Sequence, residues 1–73
     1  MSDIKKSFGK RLRKLRRNND ITQEELAEKI GMSSNFISQL ERGINAPSFD
    51  VLAKLAEVFQ VPVKDLFDFP EEK

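Results

Sequence analysis

The chain has 73 residues, with 13 basic and 12 acidic side chains and a net charge of +1. That length fits one domain near the lower limit for a core built without staples, and the absence of Cys and His removes disulfides, thiolate or imidazole metal sites and the commonest nucleophile and acid–base chemistry. No long apolar run, signal-type segment or acylation motif is present, so a soluble cytoplasmic protein that does not associate with membranes is expected.

The small net charge hides an uneven distribution. Residues 1–20 carry eight basic side chains (Lys5, Lys6, Lys10, Arg11, Arg13, Lys14, Arg16, Arg17) against Asp3 and Asp20, a net of +6, and the remainder carries five basic and ten acidic, a net of −5. Phosphate contact depends on the local field rather than on total charge, although a Lys/Arg run by itself equally describes a solvated helix face.

Ile4, Phe8, Leu12 and Leu15 recur at helical spacing and predict an amphipathic first helix, starting at Ser2 or Asp3 and ending at Asn18. Asn18, Asn19 and Asp20 form a polar turn, after which Thr22 and Glu25 make a capping box for a second helix that buries Leu26, Ala27 and Ile30. Gly31 is placed to turn the chain with positive φ. Met32 or Ser33 then leads into a third helix, with Phe36, Ile37 and Leu40 on one side and Gly43 closing it as Gly31 closes the second. Residues 44–47 read as a loop. Ser48 is the expected N-cap of a fourth helix, with Asp50 near its positive end and Leu52, Leu55, Ala56 and Phe59 facing inward. Pro62 interrupts the pattern, residues 63–67 suggest a short fifth helix, and residues 68–73 are expected to be a tail. The whole is predicted to be all-α: five short helices around one core, a single domain over residues 1–73.

Two helices that cross steeply need compact apolar residues at the crossing and a residue free to take positive φ at the turn. With Gln23 counted as the first position of such a unit, Ala27 falls fifth, Gly31 ninth, Ile37 fifteenth and Leu40 eighteenth. A generic helical hairpin carries some of these by chance, but four anchors in register define a helix-turn-helix unit over residues 22–43. The stretches 12–17 (LRKLRR), 21–31 (ITQEELAEKIG), 37–43 (ISQLERG) and 47–56 (PSFDVLAKLA) make the chain resemble the phage repressor and Cro family, also called the xenobiotic-response-element type. The resemblance covers residues 4–67. It implies a lambda-repressor-like DNA-binding domain whose third helix enters the major groove of double-stranded DNA, usually as a symmetric dimer on a two-fold operator.

Carried over by position, that resemblance puts base reading on Ser34, Asn35 and Gln39, with Ser38 a weaker candidate. Asn and Gln each pair a donor with an acceptor and suit the N6 and N7 of adenine. The same carry-over puts phosphate contacts on Gln23, Ser33 and Arg42, at helix N-termini and the loop after the third helix, while Lys10, Arg11 and Arg13 of the first helix add longer-range attraction. Ile44, Asn45 and Ala46 replace basic residues found in some relatives, which lowers the backbone affinity expected of that loop. Arg16 and Glu41 match a pair that ties the first helix to the end of the third. It reads either as support for the recognition helix or as a plain surface salt bridge worth about 0–1 kcal/mol. Glu24, Glu25 and Glu28 read as capping and solvating residues rather than as a carboxylate pair for acid–base chemistry.

The expected function is that of a sequence-specific transcriptional regulator, a repressor that blocks polymerase, with no enzymatic activity, cofactor, metal or small-molecule ligand. A chain ending soon after the fifth helix is expected to dimerise through helices 4 and 5, with Val51, Val58, Val63, Phe67 and Phe69 as candidates and core packing the alternative for each. The rival function is a protein-interaction or antitoxin-like module on the same fold, with DNA binding secondary. Exposed apolar residues on helices 4 and 5 would favour it.

Overall fold

The computed structural model describes residues 3–69. It contains four α-helices, α1 (Ile4–Asn18), α2 (Gln23–Ile30), α3 (Ser34–Glu41) and α4 (Phe49–Phe59), followed by a 3-10 helix, Val63–Phe67. The predicted fifth helix is therefore the tighter form, as suits a five-residue element that cannot support regular α-helical hydrogen bonding on its own. Ser2, the alternative start of the first helix, and residues 70–73 of the expected tail lie outside the described residues.

Local chemistry accounts for the helix starts. The carboxylate of Asp3 accepts from the amides of Lys5 and Lys6, the hydroxyl of Ser33 from Phe36 and that of Ser48 from Val51. Thr22 and Glu25 complete the expected capping box in both directions, at 3.0 and 2.8 Å. The ends of α2, α3 and α4 share one device. In each, a residue in the left-handed region folds the chain back so that the following amide donates to a carbonyl five residues earlier: Met32 to Ala27 (2.8 Å), Ile44 to Gln39 (2.9 Å) and Val61 to Ala56 (3.0 Å). The left-handed residues there are Gly31 (φ 71°), Gly43 (φ 74°) and, at the end of α4, Gln60 (φ 56°); Asp20 (φ 56°) closes α1 in the same way, with the Ile21 amide donating to the Arg16 carbonyl at 3.3 Å. Nothing in the sequence marks Gln60 for that role.

The core joins Phe8, Leu12 and Leu15 of α1 to Leu26, Ala27 and Ile30 of α2, Ile37 and Leu40 of α3, Val51, Leu52, Leu55, Ala56 and Phe59 of α4, and Leu66 of the 3-10 helix. Full burial of Leu66, at about 1.5–3 kcal/mol for such a side chain, anchors the short last element. Ile4 departs from its predicted stripe. As the first residue of α1 it extends past the core and is 60% exposed. Phe36 is only half-buried beside Ile37 and Leu40. Of the dimer candidates, Val51 belongs to the core; Phe67 stacks on Phe8 at 5.4 Å between ring centroids and meets Phe69 edge-on; Val58 is half-buried and Val63 exposed. Phe49, which the sequence did not single out, is 88% exposed at the start of α4.

Gly9 sets the distance between α1 and α3. A methyl group there would come within 2.5 Å of the carbonyl oxygens of Leu40 and Glu41, so only glycine lets the end of α3 lie against α1. A mid-helix glycine costs about 1 kcal/mol relative to alanine, a cost this close approach explains. At Gly31 a methyl group would meet nothing within 4 Å, and the constraint is the positive φ alone. Gly9→Ala is therefore expected to destabilise the fold by about 2–3 kcal/mol through backbone overlap, and Gly31→Ala by about 1–2 kcal/mol through strain. Urea unfolding of both variants checks the order, and a Gly9→Ala protein as stable as its parent would refute the packing assignment.

Candidate nucleic-acid interface

α3 presents Ser34 and Asn35 to solvent in its first turn, with Ser38 and Gln39 half-buried beside them, while Ile37, Leu40 and Glu41 hold the opposite side. The hydroxyl of Ser33 accepts a hydrogen bond from the Phe36 amide, and its own proton stays available to an anionic acceptor. Ser34 also borders an open crevice shared with Arg16, Arg17, Thr22 and Gln23, so the start of α3, the start of α2 and the end of α1 converge on one surface. Arg42 caps α3, is exposed, and makes no ion pair among the described residues.

Beneath that surface sits a buried carboxylate. The side chain of Glu41 is 0% exposed and accepts from Arg16 Nε at 2.6 Å and Nη2 at 3.2 Å, from Gln23 Nε2 at 3.0 Å and from Arg13 Nε at 3.4 Å. Arg16 additionally donates from Nη1 to the Ile21 carbonyl at 2.9 Å. The Arg16–Glu41 pair is thus an internal junction of α1, α2 and α3, and the plain surface salt bridge of the sequence reading does not describe it. Burial alone would raise the Glu41 pKa, but hydrogen bonds from Arg16 and Gln23, the Arg16 charge and the Arg13 hydrogen bond outweigh it and hold the carboxyl below its ordinary value.

These partners also sort the expected phosphate contacts. Gln23 has one Nε2 proton committed to Glu41, and Arg13 is tied to the same carboxylate while its side chain remains 45% exposed. Arg11 points the other way. Its Nε donates to the Asp65 carbonyl at 2.8 Å and fastens the 3-10 helix to α1, away from α3. Lys10 and Arg13 lie with Lys14, Arg17 and Asn18 along a groove on α1. Asn45, expected only as a loop residue in place of a basic one, donates from Nδ2 to Gln39 Oε1 at 2.6 Å. A short polar residue just after a helix-closing glycine was its only sequence signal.

Residues 12–66 match the helix-turn-helix family, and the chain belongs to that family, in its Cro/C1-type branch. An HTH-type transcriptional regulator of Archaeoglobus fulgidus is 41% identical over 63 residues, spanning 86% of this chain and 90% of the relative. The cryptic phage CTXphi transcriptional repressor RstR of Vibrio cholerae is 36% identical over 59 residues, covering 81% of this chain and 53% of RstR. Among solved structures, the restriction-modification controller protein C.AhdI of Aeromonas hydrophila superposes with a TM-score of 0.81 at 34% identity, over 85% of this chain and 94% of that one.

A carboxyl whose folded pKa is depressed stabilises the fold fully above its unfolded value, near pH 4.3, and loses that contribution as pH falls through the folded value. Glu41→Gln is accordingly expected to cost about 3 kcal/mol at neutral pH, within the range for breaking a buried ion pair. The gap between parent and variant should shrink as the solution is taken from about pH 5 toward pH 3. Urea unfolding at several pH values checks this, and a gap independent of pH would rule out the carboxylate as its source.

Proposed function

We propose that this protein is a sequence-specific DNA-binding transcriptional regulator, a repressor that lays α3 in the major groove of a two-fold symmetric operator and blocks polymerase there. The observation that carries this reading is the exposed Ser34–Asn35 edge of a helix held rigidly from behind by the Glu41 junction. Asn35 and Gln39, with Ser34 and Ser38, read base edges. Ser33, Arg42 and the remaining donors of Gln23 take phosphates, and Lys10 and Arg13 add to the field. Arg11, committed to Asp65, contributes charge but holds the fold. The function is binding rather than catalysis, carried out in the cytoplasm. Among the described residues no helix is long and apolar enough to cross a membrane.

Two copies act together on the operator, joined through α4 and the 3-10 helix, where Val63 and the partly exposed Val58 lie outside the core. One observation favours the second reading, a protein-binding module. Phe49 and Ile4 flank an apolar groove lined also by Phe8, Pro47, Leu52 and Phe67.

Titration of random duplex with salt separates the two readings, since counterion release makes phosphate-bound affinity fall steeply with salt. No detectable DNA binding at low salt would remove the first reading. On a selected operator, Asn35→Ala or Gln39→Ala is expected to cost about 1–3 kcal/mol and to relax preference at one base pair, whereas Arg42→Ala should weaken operator and random DNA alike. Electrophoretic mobility shifts on both duplexes measure the difference.

A further inference from the structure

Closure of α3 brings the loop back over the helix it leaves. With Gly43 left-handed, the Ile44 and Asn45 amides both reach the Gln39 carbonyl, at 2.9 and 3.5 Å, and the Asn45 side chain then meets the Gln39 side chain. The bond has a direction. Asn45 Nδ2 donates to Gln39 Oε1 at 2.6 Å, and Gln39 Nε2 has no acceptor among the described residues. No unpartnered side-chain nitrogen or oxygen among them is fully buried, so Gln39 Nε2 and Asn45 Oδ1 both reach the surface.

A free glutamine amide can turn over and offer either its oxygen or its NH2 to a base. We propose that Asn45 ties that amide, holding Oε1 in the orientation of the structure, and is a specificity-determining positioning residue. By occupying Oε1 it turns Gln39 into a donor, so that the two protons of Nε2 meet the two neighbouring acceptors of guanine, O6 and N7. An unrestrained glutamine would instead grip adenine through N6 and N7, which needs the amide oxygen as an acceptor. The inference rests on the reading of α3 as the base-reading helix and replaces the adenine preference expected of Gln39 from its residue type.

The test is selection from a random duplex library with the parent protein, Gln39→Ala, Asn45→Ala and Asn45→Asp, each checked for folding by its thermal melt. The position whose preference Gln39→Ala abolishes identifies the base pair beneath Gln39. The parent is expected to select guanine there, and Asn45→Ala to reduce that preference about tenfold while leaving affinity for random DNA unchanged. Asn45→Asp removes the donor and supplies acceptors, so the Gln39 amide turns over and exposes its oxygen; preference should move to adenine or cytosine, which present an amino group. If the parent selects adenine beneath Gln39, or if both Asn45 variants leave the preference at that position intact, this inference fails and the proposed function stands. If the parent selects no sequence, both fail together.

Discussion

The buried carboxylate of Glu41 is the constraint on which the rest of this structure depends. It lies in the last turn of α3, where the helix dipole is already negative and an acidic side chain is unfavourable. Without partners a carboxylate in that position would cost several kcal/mol in lost hydration. Two guanidinium groups and one amide satisfy it, and they come from α1 and from the first residue of α2. α1, α2 and α3 are therefore fastened at one point, and none can rotate without stranding a buried charge.

Gly9 and Gly31 complete that constraint by steric means. Gly9 allows the end of α3 to approach α1 closely enough for the arginines to reach Glu41, and Gly31 turns the chain so that α3 starts beside Arg17 and Gln23. Apolar packing beneath, from Leu26 and Ala27 through Ile37 and Leu40, sets the crossing of α2 and α3. The exposed polar edge of α3 is thus presented by a rigid frame. A frame held this firmly limits the ordering cost of the DNA contact proposed for α3.

The same junction changes how the basic N-terminal segment is understood. Of its eight cations, Arg11, Arg13 and Arg16 make hydrogen bonds inside the protein, so the field available to DNA is smaller than the count suggests. Lys5, Lys6, Lys10, Lys14 and Arg17 remain exposed on α1.

The sequence by itself determined the features that act over a few residues. Capping at Thr22 and Ser48, the positive-φ turns at Gly31 and Gly43, and the buried stripes of α1 through α4 apart from Ile4, Phe36 and Val51 each depend on hydrogen bonds or side-chain spacing within about one helical turn, and these were legible. The family motif is also what assigns base reading to Ser34, Asn35 and Gln39 in the proposed function. Only the tertiary structure decided which polar side chains are consumed internally. The partners of Arg11 and Asp65 lie 54 positions apart, and those of Gln23 and Glu41 lie 18 apart, so no local pattern discloses that these donors are taken. Exposure of Ile4 and Phe49 and the left-handed Gln60 were hidden for the same reason. Helical periodicity says which residues share a face, but what a face meets is settled by packing among all the elements at once.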